Sequence, residues 1–172
     1  LKNAYNRLIQ TKDKLKEVAL KYVSENYIPG KSAYASVINW KIRSTHDAKS
    51  INARFPQGTE PPYKEGTTVD VIELTQDTKV GDFVRVYDNI NSFQQGPWLM
   101  MARDIAGLTP EQIQDKYALP TKPTYVTDVM FKSGTKLRVG IANKLFESKG
   151  GGLQFDTMGE YVGDFINERL LQ

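Results

Sequence analysis

Gly134–Asp156 reads GTKLRVGIANKLFESKGGGLQFD, and the reading of the whole chain turns on it. Leu137, Val139 and Ile141 alternate with Lys136, Arg138 and Gly140, a period of two with one apolar face, which predicts a strand. A polar turn follows, then Gly150-Gly151-Gly152, then Leu153-Gln154-Phe155-Asp156. Three glycines in a row cost backbone entropy and pack no side chain. They make sense where the backbone turns tightly or lets a ligand come close. Gln154 leaves that turn with an amide that both donates and accepts. Leu153 and Phe155 are expected to anchor the other face of the strand. Two readings stand at this point: a ligand-contacting Gln154 on a glycine-shaped loop, or a flexible hairpin loop with a solvated glutamine.

Upstream of this stretch the chain reads as short strands separated by turn residues. Thr67–Leu74, Asp82–Tyr87 and Trp98–Met101 are the first three, with turns at 77–81 and 89–97. Thr109 stands where an N-cap belongs, Pro110 at the first helical position and Gln112 three residues after the cap. This predicts a helix to about Tyr117, ended by Leu119-Pro120. Tyr125–Phe131 and Thr135–Ile141 are two further strands, and Phe155 and Tyr161–Ile166 point to closing strands.

The front of the chain reads differently. Residues 3–27 place Tyr5, Leu8, Ile9, Leu15, Val18, Ala19, Tyr22 and Val23 at helical spacing with lysines between, and Pro29-Gly30 stops the helix. A second helix is expected over Ser32–Lys49, with Tyr34, Val37, Ile38 and Ile42 facing inward. Phe55–Gly66, FPQGTEPPYKEG, reads as a linker or boundary loop that a protease should nick first. Residues 1–54 hold 11 Lys/Arg and 4 Asp/Glu, whereas 55–172 hold 12 and 16, so a basic front precedes a mildly acidic body. The expected organisation is α+β: a basic helical lobe over 1–54 and a β-rich, mostly antiparallel domain over 55–172. A basic lobe suits nucleic acid, an anionic surface or an acidic protein; it is equally the solvated face of a lysine-rich helix.

The 172 residues contain no cysteine and one histidine, His46, which excludes a Cys/His zinc site, a cysteine nucleophile and a disulfide framework. No Asp/Glu cluster announces a metal. No apolar run approaches the roughly 18 residues needed to span a bilayer. The chain is expected to be a piece of a longer protein.

From Pro61 to Asp156 the features run PPYKEGTTV, a strand ending in VRVYD, QGPWLM, a short helix with YALP, and finally GIANKLFESKGGGLQFD. This order resembles the tuberculosis-necrotizing-toxin family of NAD glycohydrolase domains, and GGGLQF is its most specific part. The chain is also similar to C-terminal toxin modules of bacterial polymorphic and contact-dependent growth inhibition systems. In the resemblance Arg85 matches the family's functional arginine and Gln154 its functional glutamine. It implies an ADP-ribosyltransferase-like body that binds NAD as substrate, with no other cofactor, and hydrolyses the nicotinamide–ribose bond. It also implies surface delivery, action in the target-cell cytoplasm and a cognate immunity protein.

That chemistry needs a group for the pyrophosphate, a positioned ribose and stabilisation of an oxocarbenium-like charge. Arg85 suits the pyrophosphate through bidentate donors, and Gln154 suits the ribose hydroxyls or the attacking water. Tyr87 or Trp98 can stack on a ring, and Gly150, Gly151 and Gly152 let substrate approach. Each also has a plain structural reading, Arg85 as a surface strand residue and Trp98 as core. A competing reading is a metal-free ribonuclease acting on tRNA, with tRNA or a translation factor as partner. There His46 supplies acid–base chemistry, and Arg43 and Arg85 hold the phosphate. A third reading is a non-enzymatic binding module. The first two part on whether His46 shares a cleft with Arg85 and Gln154.

Overall fold

The computed structural model describes residues 2–30 and 40–172, and the side chains of 16–26 lie outside the description. The fold is α+β, an N-terminal helix followed by an eight-stranded antiparallel sheet. The helix α1 is Lys2–Asn26; the strands are β1 (Trp40–Asp47), β2 (Thr68–Leu74), β3 (Phe83–Tyr87), β4 (Trp98–Met101), β5 (Tyr125–Met130), β6 (Lys136–Ile141), β7 (Leu153–Asp156) and β8 (Asp164–Leu170). Short helices α2 (Ala48–Asn52), α3 (Ala102–Ile105) and α4 (Pro110–Tyr117) lie between them. The sheet order is β1-β2-β6-β7-β4-β3-β5-β8.

Alternation along the strands sorts the apolar residues onto one concave face. Trp40, Ile72, Leu74, Leu137, Val139, Leu153, Phe155, Leu99, Met101, Phe83, Val129 and Phe131 form the main core. Trp40 on β1 and Phe155 on β7 are three strands apart, about 14 Å in a flat sheet. Their rings meet edge-on at 5.8 Å, so the sheet curls around this core. Each fully buried large side chain contributes about 1.5–3 kcal/mol. On the reverse face α4 covers Val84, Val86, Met100 and Val126 through Ile113 and Tyr117. There too, α2 packs through Ala48 and Ile51 against Tyr63 and Val69.

The capping box at α4 forms as the sequence spacing predicts. Gln112 N donates to Thr109 Oγ1 at 3.2 Å, and Thr109 N donates to Gln112 Oε1 at 2.8 Å.

Three expectations are corrected. The helix expected over 32–49 is a strand from Trp40 to Asp47, with residues 31–39, and so Tyr34, Val37 and Ile38, outside the described part. β1 is an edge strand whose register slips at a bulge between Ile42 and Ser44. That slip breaks the period-two signal. Residues 40–47 therefore belong to the sheet and α2 packs against it, so this stretch does not extend a helical lobe.

FPQGTEPPYKEG is not a free linker. Asn52 brackets the Tyr63 backbone, donating from Nδ2 to Tyr63 O at 2.8 Å and accepting from Tyr63 N at 3.0 Å. Tyr63 is fully buried, and its hydroxyl donates to the Asp156 carboxylate. Residues 61–63 thus form a strap across β6 and β7, flanked by the exposed segments 56–60 and 64–66.

Arg138, on the face of β6 opposite Leu137 and Val139, is buried. Its Nε lies 3.0 Å from both oxygens of Asp156, and its Nη2 lies 2.9 Å from Oδ1. Breaking such a pair costs about 3–5 kcal/mol, so it pins β6 to β7 two residues from Gln154.

The described half of α1 leaves Tyr5, Leu8, Ile9 and Leu15 exposed. Among the described residues no helix is long and apolar enough to cross a membrane.

Candidate functional site

β3 and β4 pair only at Phe83–Met101 and Val84–Met100. Beyond that point the strands part, and a cavity of about 340 Å³ opens at the fork. This volume falls in the range of small-molecule sites. Arg85, Tyr87, Trp98 and Gln154 all line it, as do the α4 end, the strap at Glu60 and Pro62, and Phe146.

Strand alternation alone would separate Arg85 from Gln154. Val84 pairs with Met100, and Leu99 with Phe155, so Gln154 shares its face with Val84 and Arg85 points to the other side. The fork brings both to one cavity, because beyond Val84 no ladder lies between the two strands.

Arg85 is 7 % exposed. Its Nε donates to Phe93 O at 2.9 Å and its Nη1 to Trp98 O at 3.0 Å, bridging the fork. Both partners are neutral carbonyls, and Arg85 forms no ion pair with any described residue. Burial lowers its pKa from the ordinary arginine value, yet a guanidinium stays charged in proteins. A buried cation with unused donors is a place for an anion. Gly96 makes the arrangement possible, since a Cβ there would lie 2.3 Å from the Arg85 Cζ and Nη2. The glycine in QGPW gave no hint of this when read as a turn residue.

Gln154 is 8 % exposed, and its Nε2 donates to Pro62 O at 2.8 Å. A carbonyl accepts only, so this bond fixes the amide orientation. Its oxygen has no hydrogen-bond partner among the described residues and is left to accept from a ligand.

The remaining expected residues are placed less favourably. Tyr87 stacks on Tyr125 at 5.7 Å, and its hydroxyl donates to Glu168. Burial and that bond raise its pKa. Trp98 stacks on Phe55 and leans on Tyr63, both at 5.8 Å. Both rings have a face already occupied.

Gly150, Gly151 and Gly152 are not among the cavity-lining residues. They let the β6–β7 loop thread against α4 and the end of β6. Gly150 N donates to Asp115 O, Gly151 N to Ala142 O and Gly152 N to Lys116 O, each at 2.9 Å. A Cβ on Gly150 would sit 2.3 Å from Asn143 O, whereas one on Gly151 would meet nothing within 4 Å. Both have positive φ, so Ala strains either position. Gly150→Ala therefore lowers the melting temperature by more than Gly151→Ala, the excess reflecting overpacking of about 1–3 kcal/mol. Thermal unfolding of the two variants side by side checks this.

Arg43 and His46 lie on β1, the sheet's far edge, with β2, β6, β7 and β4 between them and Arg85. Arg43 pairs with Glu73 at 3.3 Å, and His46 Nε2 lies 2.9 Å from Ser44 Oγ. Neither lines the cavity, so the three residues of the ribonuclease reading are not assembled.

Sequence reading missed several contributors. Glu60 is the carboxylate among the lining residues. The Tyr117 hydroxyl is buried without a partner among the described residues, and burial, with Asp104 beside it, raises its pKa.

Asp88 ties two walls of the cavity together. Its Oδ1 accepts from the backbone N–H groups of Ile90, Asn91 and Ser92, and its Oδ2 accepts from Thr121 Oγ1 at 2.9 Å. Bonds from the Asn91 side chain and from backbone N–H groups hold the Asp88 carboxyl well below the usual carboxylate range. A folded pKa below the unfolded one gives stability that is full above about pH 4 and is lost as pH falls further. The wild type should therefore melt above Asp88→Asn at neutral pH, and the gap should close below about pH 4. Melting temperatures of both proteins from neutral to acid pH check the sign.

Comparison with protein-family models, with curated proteins and with solved structures finds no match to this chain.

Proposed function

We propose that this domain hydrolyses NAD at the nicotinamide–ribose bond, releasing nicotinamide, ADP-ribose and a proton. We further propose that it acts as an antibacterial toxin in the target-cell cytoplasm and is restrained by a cognate immunity protein. The observation that carries the reading is Arg85. It is a buried cation with only neutral partners, on the same cavity as an amide whose orientation is fixed. The motif order from Pro61 to Asp156 supports it.

In this reading Arg85 holds the pyrophosphate through its unused donors. Gln154 accepts from a ribose hydroxyl or from the attacking water through its free oxygen. Nicotinamide leaves as a neutral molecule, so no general acid is required. The charge that develops is cationic and sits on the ribose, where Glu60 is the lining carboxylate available to it. The mostly apolar α4 end and the strap keep bulk water from the reacting carbon.

Expression in a bacterial cytoplasm tests the proposal. The NAD pool should collapse before growth stops, with tRNA intact. Fragmented tRNA with a steady NAD pool would favour a ribonuclease instead.

A further inference from the structure

Phe146 stands out among the residues that line the cavity. It is 49 % exposed, although it is a large apolar side chain. It occupies a tight turn closed by Ser148 N donating to Leu145 O at 2.8 Å. Both central residues of this turn have positive φ, 52° at Phe146 and 63° at Glu147. Turns of that shape normally take Asn and Gly, because glycine has no Cβ, asparagine hydrogen-bonds locally, and bulkier side chains are strained there. A bulky aromatic in a left-handed conformation usually has packing that compensates for the strain. Phe146 has no stacked or edge-on aromatic partner among the described residues, and half of it faces solvent at the cavity.

The two aromatics expected to stack on substrate are engaged elsewhere, Tyr87 on Tyr125 and Trp98 on Phe55. Phe146 is the lining aromatic side chain that is half open to solvent. We propose that Phe146 is the ring-stacking residue of this site, receiving a planar nitrogen heterocycle of the substrate on its open face. This inference rests on the NAD reading above. The substrate has two such heterocycles, nicotinamide and adenine, and the shared requirement is a flat π-system that lies on a phenyl face.

The turn shape and the ring can be separated by substitution. Phe146→Asn tolerates positive φ and removes the ring. Phe146→Tyr keeps the ring. Calorimetric titration of the purified domain with nicotinamide mononucleotide and with ADP-ribose, alongside thermal melts, makes the test. Phe146→Asn should weaken the ligand whose ring stacks by about tenfold or more. The other ligand should be little affected, Phe146→Tyr should bind within about threefold of wild type, and the melting temperature of Phe146→Asn should be unchanged or higher. The ligand that suffers identifies the stacked ring. Wild-type affinity for both ligands in Phe146→Asn would overturn the inference while leaving the NAD reading standing. A marked fall in its melting temperature with intact affinity would assign Phe146 to packing and would also overturn it. A wild-type protein that bound neither ligand would overturn this inference and the NAD reading together.

Discussion

Arg85→Lys should leave a folded domain that releases nicotinamide at least about 100-fold more slowly than wild type, equivalent to about 2.7 kcal/mol of transition-state stabilisation. The argument starts from the fork between β3 and β4, where Arg85 meets two carbonyls and keeps donors for a ligand. Lysine keeps the charge in principle but has a single nitrogen and no planar fork. It cannot satisfy the Phe93 and Trp98 carbonyls and grip a pyrophosphate at the same time. Burial also shifts a lysine toward its neutral form, which a guanidinium resists. Hydrogen bonds to a charged group are worth about 1.5–3 kcal/mol, so losing one to the reacting substrate accounts for the expected factor. Melting temperature read beside the rate separates this from unfolding. Activity within a few-fold of wild type at unchanged stability would reduce Arg85 to a structural clamp on the 88–97 loop.

Gln154→Ala should have an effect of similar size on rate and a smaller one on stability. The folded state loses one bond to the Pro62 carbonyl, about 0.5–1.5 kcal/mol. For a domain of this size that is a few degrees in melting temperature. The β7 backbone pairing and the Arg138–Asp156 pair stay in place. The rate should fall about 100-fold or more, the scale seen when one preorganised polar group is removed from an active site. Steady-state nicotinamide release with a parallel melt distinguishes the two losses. A variant that kept its activity and lost only stability would mark Gln154 as a brace for the strap.

Part of the fold was legible from local pattern. Leu137, Val139 and Ile141 announce β6 through alternation, and the Thr109–Gln112 box announces α4 through local chemistry. β1 was misread because it is an exposed edge with a bulge, so its apolar residues do not recur at period two. The Arg138–Asp156 pair gave no sign in the sequence, because a buried ion pair joins positions 18 residues apart and leaves no local trace.

The site was half legible. Arg85 enters through resemblance alone, Gln154 through the glycine run as well as resemblance, and alternation by itself places them on opposite faces. The three glycines were read as making room for a ligand, whereas Gly152 makes room for α4 and Gly150 for the chain just after β6. Gly96 carried no signal, because the space it leaves for Arg85 exists only after the chain has folded.

Nicotinamide release from NAD by purified wild-type and Gln154→Ala protein, with total tRNA present in the same reaction, tests most directly whether the Arg85–Gln154 cavity breaks the nicotinamide–ribose bond. The wild type should release nicotinamide and ADP-ribose in equal amounts, the variant about 100-fold less, and the tRNA should stay intact in both. Intact NAD with fragmented tRNA, or equal nicotinamide release by the two proteins, would contradict it.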